Sequence, residues 1–416
     1  MAERSGATNA ARSAISEVPP VPAPDDTLAR HNARVLACAQ ALGGANPAIV
    51  VSLGGLVGLA LADKDIATLP VSVMNLGLAL GTIPAAMMMR RFGRRTGYLL
   101  GTSLGVCGGS IAATGIAMAS FALFCLGTLF AGFYAAYVQS YRFGAADAAS
   151  PGFRPRAVSW VMAGGMVGGI IGPQTVIWMR DLVPDAMFAG AFLGQAMLAL
   201  ASIVVVSFLR PTPLAAPEAS GGRPLLEIVR QPRFLTAAAA GLVSYGMMSF
   251  VMTAAPVAMV DCGLPVSSAA LGIQWHILAM FGPSFVAGRL IVRYGKERIT
   301  ALGLVLIVIA AAIGLSGLTV GHFWATLVLL GVGWNFGFIG ATTMVMDCYR
   351  PEERAKVQGA NDFLIFGSVA VASFSSGRLL SAGGWEIVNW LVFPPVALAL
   401  LLIGWQMLRR PVVAGG

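Results

Sequence analysis

Apolar runs long enough to cross a bilayer recur from one end of the chain to the other. They lie near 36–61, 66–89, 97–118, 120–145, 157–179, 186–208, 234–259, 267–291, 299–319, 322–346, 357–381 and 387–408, and a helix needs about 20 such residues to span hydrocarbon. Backbone N–H and C=O groups find no water in the bilayer core, so each run is expected to be an α-helix. Only 11% of the 416 residues are charged and 57% are hydrophobic, whereas soluble domains carry about 25% charged residues. A soluble enzyme, a disulfide scaffold and a disordered chain are excluded. The expectation is an all-α integral membrane protein with twelve transmembrane helices.

An even number of spans puts both chain ends on one side, and basic residues choose the side. If that side is cytoplasmic, 23 of the 27 Lys and Arg residues fall in cytoplasmic segments, and only Lys64 and Arg180 fall in loops on the other side. This asymmetry is the positive-inside signal. It orients a multi-pass protein of the inner (plasma) membrane with cytoplasmic N- and C-termini, and it accounts for the net charge of +9 without nucleic acid. Residues 1–35 hold no apolar core with a cleavage site, so no signal peptide is expected. The five cysteines are scattered without metal or redox spacing. Neither a P-loop nor a hydrolase or metal motif occurs, so no cofactor, no metal and no enzymatic activity are expected.

The chain also repeats itself. Arg91-Phe92-Gly93-Arg94-Arg95 follows the second run, and Arg293-Tyr294-Gly295-Lys296-Glu297 follows the eighth, 202 residues on. Asp147-x-x-x-Pro151-x-x-Arg154 follows the fourth run, and Asp347-x-x-x-Pro351-x-x-Arg354 follows the tenth, 200 residues on. Two pseudo-symmetric six-helix bundles follow, the arrangement of many secondary transporters. The boundaries read as a disordered tail over 1–35, a first bundle over 36–208, and a linker over 209–233. A second bundle covers 234–408 and a short tail 409–416. Within the linker, Pro224–Arg230 reads as a short interfacial helix ended by Pro232.

The loop after the second run resembles the signature of the major facilitator superfamily, G-x-x-x-D-R-x-G-R-R. Here it stands as Ala86-Met-Met-Met-Arg90-Arg91-Phe92-Gly93-Arg94-Arg95, with Gly288-Arg-Leu-Ile-Val292-Arg293-Tyr294-Gly295-Lys296-Glu297 as the second copy. The resemblance implies rocking bundles with cytoplasmic gates at Arg90, Arg91, Gly93, Arg94, Arg95, Arg293 and Gly295. The Asp147/Arg154 and Asp347/Arg354 loops are expected to brace them. Arg90 replaces the family's aspartate, which docks at the start of helix eleven. We therefore expect a charge-swapped latch from Arg90 or Arg94 to Asp362, the one acidic residue inside a run. The alternative is a pair between Asp362 and Arg354 or Lys356 in its own half.

The resemblance further implies that helices 1, 4, 7 and 10 line a central cavity. Polar side chains gather in the inner runs, as the cost of polar groups in lipid requires. Asn46, Gln139, Arg142, Tyr245, Gln274, Trp334 and Asn335 are the candidate substrate-binding residues. Arg142 suits a carboxylate or phosphate, or else it snorkels or pairs with Asp147. Asn46-Pro47 marks either a broken helix at a site or a packing kink. Tyr245 and Trp334, with Trp275, Phe336 and Phe363, suggest an aromatic wall, unless they are simple packing. His276 and Asp362 are the proton-coupling candidates, with uniport as the alternative. Gly168-x-x-x-Gly172-Pro173 is part of an antiporter motif or, equally, a packing seam.

The expected function is secondary transport of a small organic solute, an aromatic or anionic metabolite, by alternating access, with a proton as candidate coupling ion. Drug or metabolite efflux by antiport is one alternative; a lipid flippase or scramblase on the same scaffold is another. The partners expected are substrate and membrane lipid, and the protein is expected to be a monomer. Flavin-like vitamins, organic acids and drugs all fit.

Overall fold

A computed structural model describes residues 26–147, 149–211 and 222–408. Residues 1–25 and 409–416, which hold most of the expected tails, and 212–221 of the linker lie outside the described residues. Those described form helices and no strand. The short linker helix is present as Leu225–Val229, with Ile228 buried against Phe234, Met344, Val345 and Val357.

Ten helices are long and apolar enough to cross a membrane, and an eleventh follows if Val266–Phe281 and Ser284–Tyr294, bent by 42° at Gly282-Pro283, are one span. The last of the ten, Lys356–Leu408, has 53 residues. As a single helix it would be about 80 Å long at 1.5 Å per residue, far more than the roughly 30 Å of hydrocarbon. It leaves helical geometry at Gly383 and Gly384 and ends its first helix at Trp390 before Phe393–Leu408 begins. Counted as two passes, it brings the spans to the twelve expected from the sequence, and spans are numbered below on that count.

The first span starts earlier than the hydropathy indicated. It runs Thr27–Leu61, nine residues ahead of 36, because its polar first turns have partners. Asn32 Nδ2 donates to the Arg210 carbonyl at 3.1 Å, and Arg210 N donates back to Asn32 Oδ1 at 3.0 Å. His31 Nε2 donates to the Phe208 carbonyl at 3.0 Å. Arg30 and Arg34 lie over the rings of Phe153 and Trp160. The start of span one is thus tied to the end of span six and to span five. Its only break is at Gly44, whose φ of −66° and ψ of −19° are still helical, so Asn46-Pro47 lies in continuous helix and not in an unwound segment.

Helix packing repeats with the sequence. Span one packs on five, two on four, three on four and three on six; seven packs on eleven, eight on ten, nine on ten and nine on twelve. Adding six to each number of the first set gives the second. The halves meet through spans two and eleven, five and eight, and one and seven.

Lipid supplies no hydrophobic force between helices, so close van der Waals contact must hold them. Glycine provides it. A Cβ on Gly164, Gly168 or Gly172 of span five would meet the carbonyl of Ala37, Ala41 or Ala45 of span one at 2.2, 2.9 and 2.8 Å. The glycines of the antiporter-like motif are therefore part of a packing seam. In the second half, a Cβ on Gly303 would lie 2.2 Å from Gly337 N.

Gly303→Val is expected to cost at least the 1–3 kcal/mol or so typical of overpacking. It should lower the melting temperature and the monodisperse fraction in detergent. Gly404→Val, whose Cβ meets nothing within 4 Å, should behave as the unaltered chain.

Candidate functional site

We call the side carrying the 90–95 and 293–298 turns the tail side, and the other the far side. On the far side the two halves are joined. Lys64 Nζ pairs with Asp261 Oδ2 at 2.8 Å, and Ser381 donates to Asp65 at 2.6 Å. Deeper in, Thr68 and Ser72 donate to the carbonyl and hydroxyl of Ser373 at 3.4 and 3.2 Å. Gln174 Nε2 donates to Gln274 Oε1 at 2.9 Å, linking span five to span eight. The backbones are as close as the side chains: a Cβ on Gly377 would fall 2.0 Å from Thr68 Oγ1, and one on Gly55 2.6 Å from Val257. Gln274 therefore takes part in far-side closure.

On the tail side, each half is tied to itself. Gly93 and Gly295 have φ of +85° and +87°, a region open to glycine. The chain reverses there, so Arg94 and Lys296 open the next helices. Arg94 Nε and Nη2 donate to the Asp147 carboxylate, and Arg94 Nη1 donates to the Tyr98 hydroxyl at 3.2 Å. Lys296 and Arg233 both pair with Asp347. The braces expected between Asp147 and Arg154 and between Asp347 and Arg354 are not formed. Arg154 Nε donates instead to the Ala149 carbonyl at 3.2 Å, and Arg354 is exposed. The motif aspartates find their bases on the neighbouring turn, where a guanidinium can approach fork-on. Arg91 and Arg293 lie over the adjacent rings of Phe92 and Tyr294, while Arg90 and Arg95 are exposed. With Arg94 held by Asp147, the latch to Asp362 is absent from this conformation. The alternative within the second half is absent too, since Lys356 Nζ donates to the Arg223 carbonyl.

One tail-side pair escaped the sequence reading. Arg223 of the linker donates from N, Nε and Nη2 to both oxygens of Glu353, at 2.8, 3.0 and 2.9 Å. Glu353 is fully buried and also accepts from Arg350 N at 2.9 Å. The Arg223 guanidinium, followed by the Arg350 amide, holds the Glu353 carboxyl well below the usual carboxylate range. The repeat hid this pair, because the matching position in the first half is Phe153.

Between these ends, mid-membrane, lies an aromatic cluster. The Tyr245 ring sits 5.3 Å from Trp334, 5.1 Å from Phe338 and 5.9 Å from Phe366 between centroids. Trp334 and Phe338 stack at 5.3 Å with 12° between planes, and Phe281 lies 6.4 Å from Trp334. Tyr245 and Trp334 are where the expected wall has them; the other members differ. Phe338 is four residues from Trp334 and shares its helix face, whereas Phe336 is two away and does not. Trp275 is 43% and Phe363 71% exposed, and neither joins the cluster.

Toward the tail side of the cluster stand two charges from opposite halves. Asp362 is one turn before Phe366 on span eleven, and it is exposed. An exposed carboxylate at membrane depth has to face water or a partner, because lipid would not accept it. Arg142 of span four lies within electrostatic reach of both Asp362 and Tyr245, without closing to an ion pair. Its guanidinium covers the Phe143 ring at 4.8 Å, and its Nε is buried with no hydrogen-bond partner among the described residues. Asp147, the other partner considered for Arg142, is taken by Arg94.

The remaining candidates are placed elsewhere or only nearby. Asn46 Nδ2 donates to the Ala131 carbonyl at 2.9 Å. Asn335 Nδ2 donates to the Met280 carbonyl and Ser284 hydroxyl, both at 2.6 Å, within the second half. His276 is fully buried and donates from Nδ1 to the Leu327 carbonyl at 2.6 Å. Gln139 is half-buried at the end of Phe121–Gln139. No group of His, Cys, Asp and Glu that could hold a metal occurs among the described residues.

The family profile described as Major Facilitator Superfamily matches residues 35–372 and 284–415. The chain is 62% identical to the riboflavin transporter RfnT of Brucella anthropi, over 91% of this chain and 96% of that one. It is 31% identical to YdeG of Bacillus subtilis, described as an uncharacterized MFS-type transporter, over 94% and 93% of the two chains. The crystal structure of the nucleoside transporter NupG superimposes with a TM-score of 0.69 at 13% identity, covering 92% of this chain and 100% of that one.

The Arg223–Glu353 clamp makes a pH-dependent prediction. The folded-state pKa of Glu353 is depressed, so its stabilisation is complete above the unfolded value near about 4.3 and is lost as pH falls below it. Glu353→Gln should lower the melting temperature at pH 7. The gap to the unaltered chain should shrink as the pH of the melt is taken below about 4.

Proposed function

The chain belongs to the Major Facilitator Superfamily, and we propose that within this family of transporters it carries riboflavin across the bacterial inner membrane. The 62% identity to a riboflavin transporter over nearly both full lengths carries the reading, and the mid-membrane aromatic cluster supports it. Riboflavin presents a wide, flat, fused ring system that is poorly hydrated on both faces. Tyr245, Phe338 and Phe366, backed by Trp334, offer ring edges and faces of the right kind, and such contacts add to plain burial.

The transport cycle in this reading is alternating access. Spans one to six rock against spans seven to twelve, and the tail side, rich in Lys and Arg, is cytoplasmic. The structure then corresponds to a conformation closed outward by Lys64–Asp261, Ser72–Ser373 and Gln174–Gln274. Its aromatic site is approached from the cytoplasm past Arg142 and Asp362. Opening outward requires those far-side contacts to part and the tail-side turns to come together. Binding shifts the balance between the two arrangements by its differential affinity for them. Of the two titratable candidates, Asp362 stands beside the site and His276 is tied to Leu327, so a proton-coupled cycle would run through Asp362.

The test is riboflavin binding to the purified protein, followed by quenching of flavin fluorescence on stacking. Tyr245→Ala and Trp334→Ala are each expected to weaken binding by about 5- to 100-fold, the range of about 1–3 kcal/mol for an aromatic stacking partner. Trp275→Ala, outside the cluster, should leave it unchanged. No quenching, or equal affinities across the three variants, would remove the cluster from the site.

A further inference from the structure

We infer that Arg142 and Asp362, one from each half, together read the imide edge of the substrate ring, and that the substrate class is therefore planar heterocycles with a carbonyl–NH–carbonyl edge. The inference rests on the flavin reading above and adds which end of the ring points where, and why binding draws the halves together.

Arg142 and Asp362 come from opposite halves at a place where spans four and eleven approach: Phe366, one turn beyond Asp362, packs against Leu78, Ala135 and Ala136, and Ala135 lies two turns before Arg142 on span four, yet the two charges form no ion pair. The aromatic cluster adjoins this place, since the Tyr245 ring is 5.9 Å from Phe366, one turn from Asp362. Both charges are incompletely satisfied, with Arg142 Nε buried and unpartnered and Asp362 exposed at membrane depth.

The chemistry of the pair is selective. A carboxylate only accepts hydrogen bonds and a guanidinium only donates them. A ligand edge that satisfies both must offer a donor and an acceptor side by side, in the plane of a ring that can lie on the aromatic cluster. An imide edge does so: its N–H donates to Asp362 while a flanking carbonyl accepts from Arg142. A carboxylate ligand would suit Arg142 and be repelled by Asp362, and an ammonium ligand the reverse. Riboflavin carries an imide edge at N3, between the carbonyls at C2 and C4. Its dimethylbenzene end then lies toward Trp334 and away from the tail side. Each half holds one end of the same edge, so the ligand ties span four to span eleven. Without it, closing the tail side would bury two charges whose partners are poorly placed, which is costly.

The experiment compares riboflavin with N3-methylriboflavin, which keeps the ring and the side chain and lacks the N–H. Dissociation constants are measured on the full-length protein in detergent for the unaltered chain, Asp362→Ala and Asp362→Asn. The unaltered chain should prefer riboflavin by about 10- to 100-fold, the effect of losing a hydrogen bond to a charged group. In Asp362→Ala the preference should fall to within about threefold, and in Asp362→Asn, which keeps a neutral acceptor, it should be intermediate. Equal binding of the two flavins by the unaltered chain would overturn the inference while leaving riboflavin transport standing. So would a preference that survives in Asp362→Ala. Failure of the unaltered chain to bind riboflavin would overturn both readings.

Discussion

A polypeptide in hydrocarbon has to satisfy its own backbone and then hold its helices together without help from the hydrophobic effect. The rest of this structure follows from how that second requirement is met. Glycine seams bring span five onto span one and span nine onto span ten until carbonyls and amides of neighbouring helices nearly touch. Packing this tight leaves little room for rearrangement inside a half, so in the proposed cycle each half moves as a block. The motion of that cycle falls to the boundary between the halves, where spans two and eleven and spans five and eight meet. The polar contacts across it are hydroxyl, amide and single ion-pair contacts of modest strength, strong enough to hold one arrangement and weak enough to release it.

The charges divide along the same lines. On the tail side, Asp147 and Asp347 are paired inside their own halves with Arg94, Lys296 and Arg233, which stiffens each block. Arg142 and Asp362 belong to opposite halves at membrane depth and form no ion pair. In the proposed site they stand on the tail side of the aromatic cluster and hold the ligand between them. Catalysis of movement in such a protein needs no bond making. It needs a ligand that fits one arrangement of the two blocks better than the other.

Much of this was legible in the sequence, for physical reasons that can be named. Hydropathy gave the spans because lipid tolerates little else, and the loop repeats gave the two halves because matched motifs sat at nearly one offset. The start of span one at Thr27 was not legible. His31, Asn32 and Arg34 read as a polar tail until their partners at Phe208, Arg210 and Trp160 are known. Asp147 and Asp347 stood out as motif residues, but their partners are chosen by helix packing, and the nearest bases in the motif, Arg154 and Arg354, proved to be the wrong ones. In the aromatic cluster, Tyr245 and Trp334 were found by depth alone. Phe338 and Phe366 were missed although a signal existed: each lies four residues from a residue already singled out, Trp334 or Asp362, and so shares its face.

The central claim is that two rigid halves exchange far-side closure for tail-side closure around a flavin. Double electron–electron resonance tests it most directly. One spin-label pair sits at Arg95 and Arg298 on the tail side. Another sits at Asp181 and the native Cys262 on the far side, with the other four cysteines replaced by serine. Riboflavin should shorten the tail-side distances, while the far-side pair lengthens or, around an occluded ligand, keeps its distance. Distances that do not respond to saturating riboflavin, or that lengthen on both sides together, would contradict the account.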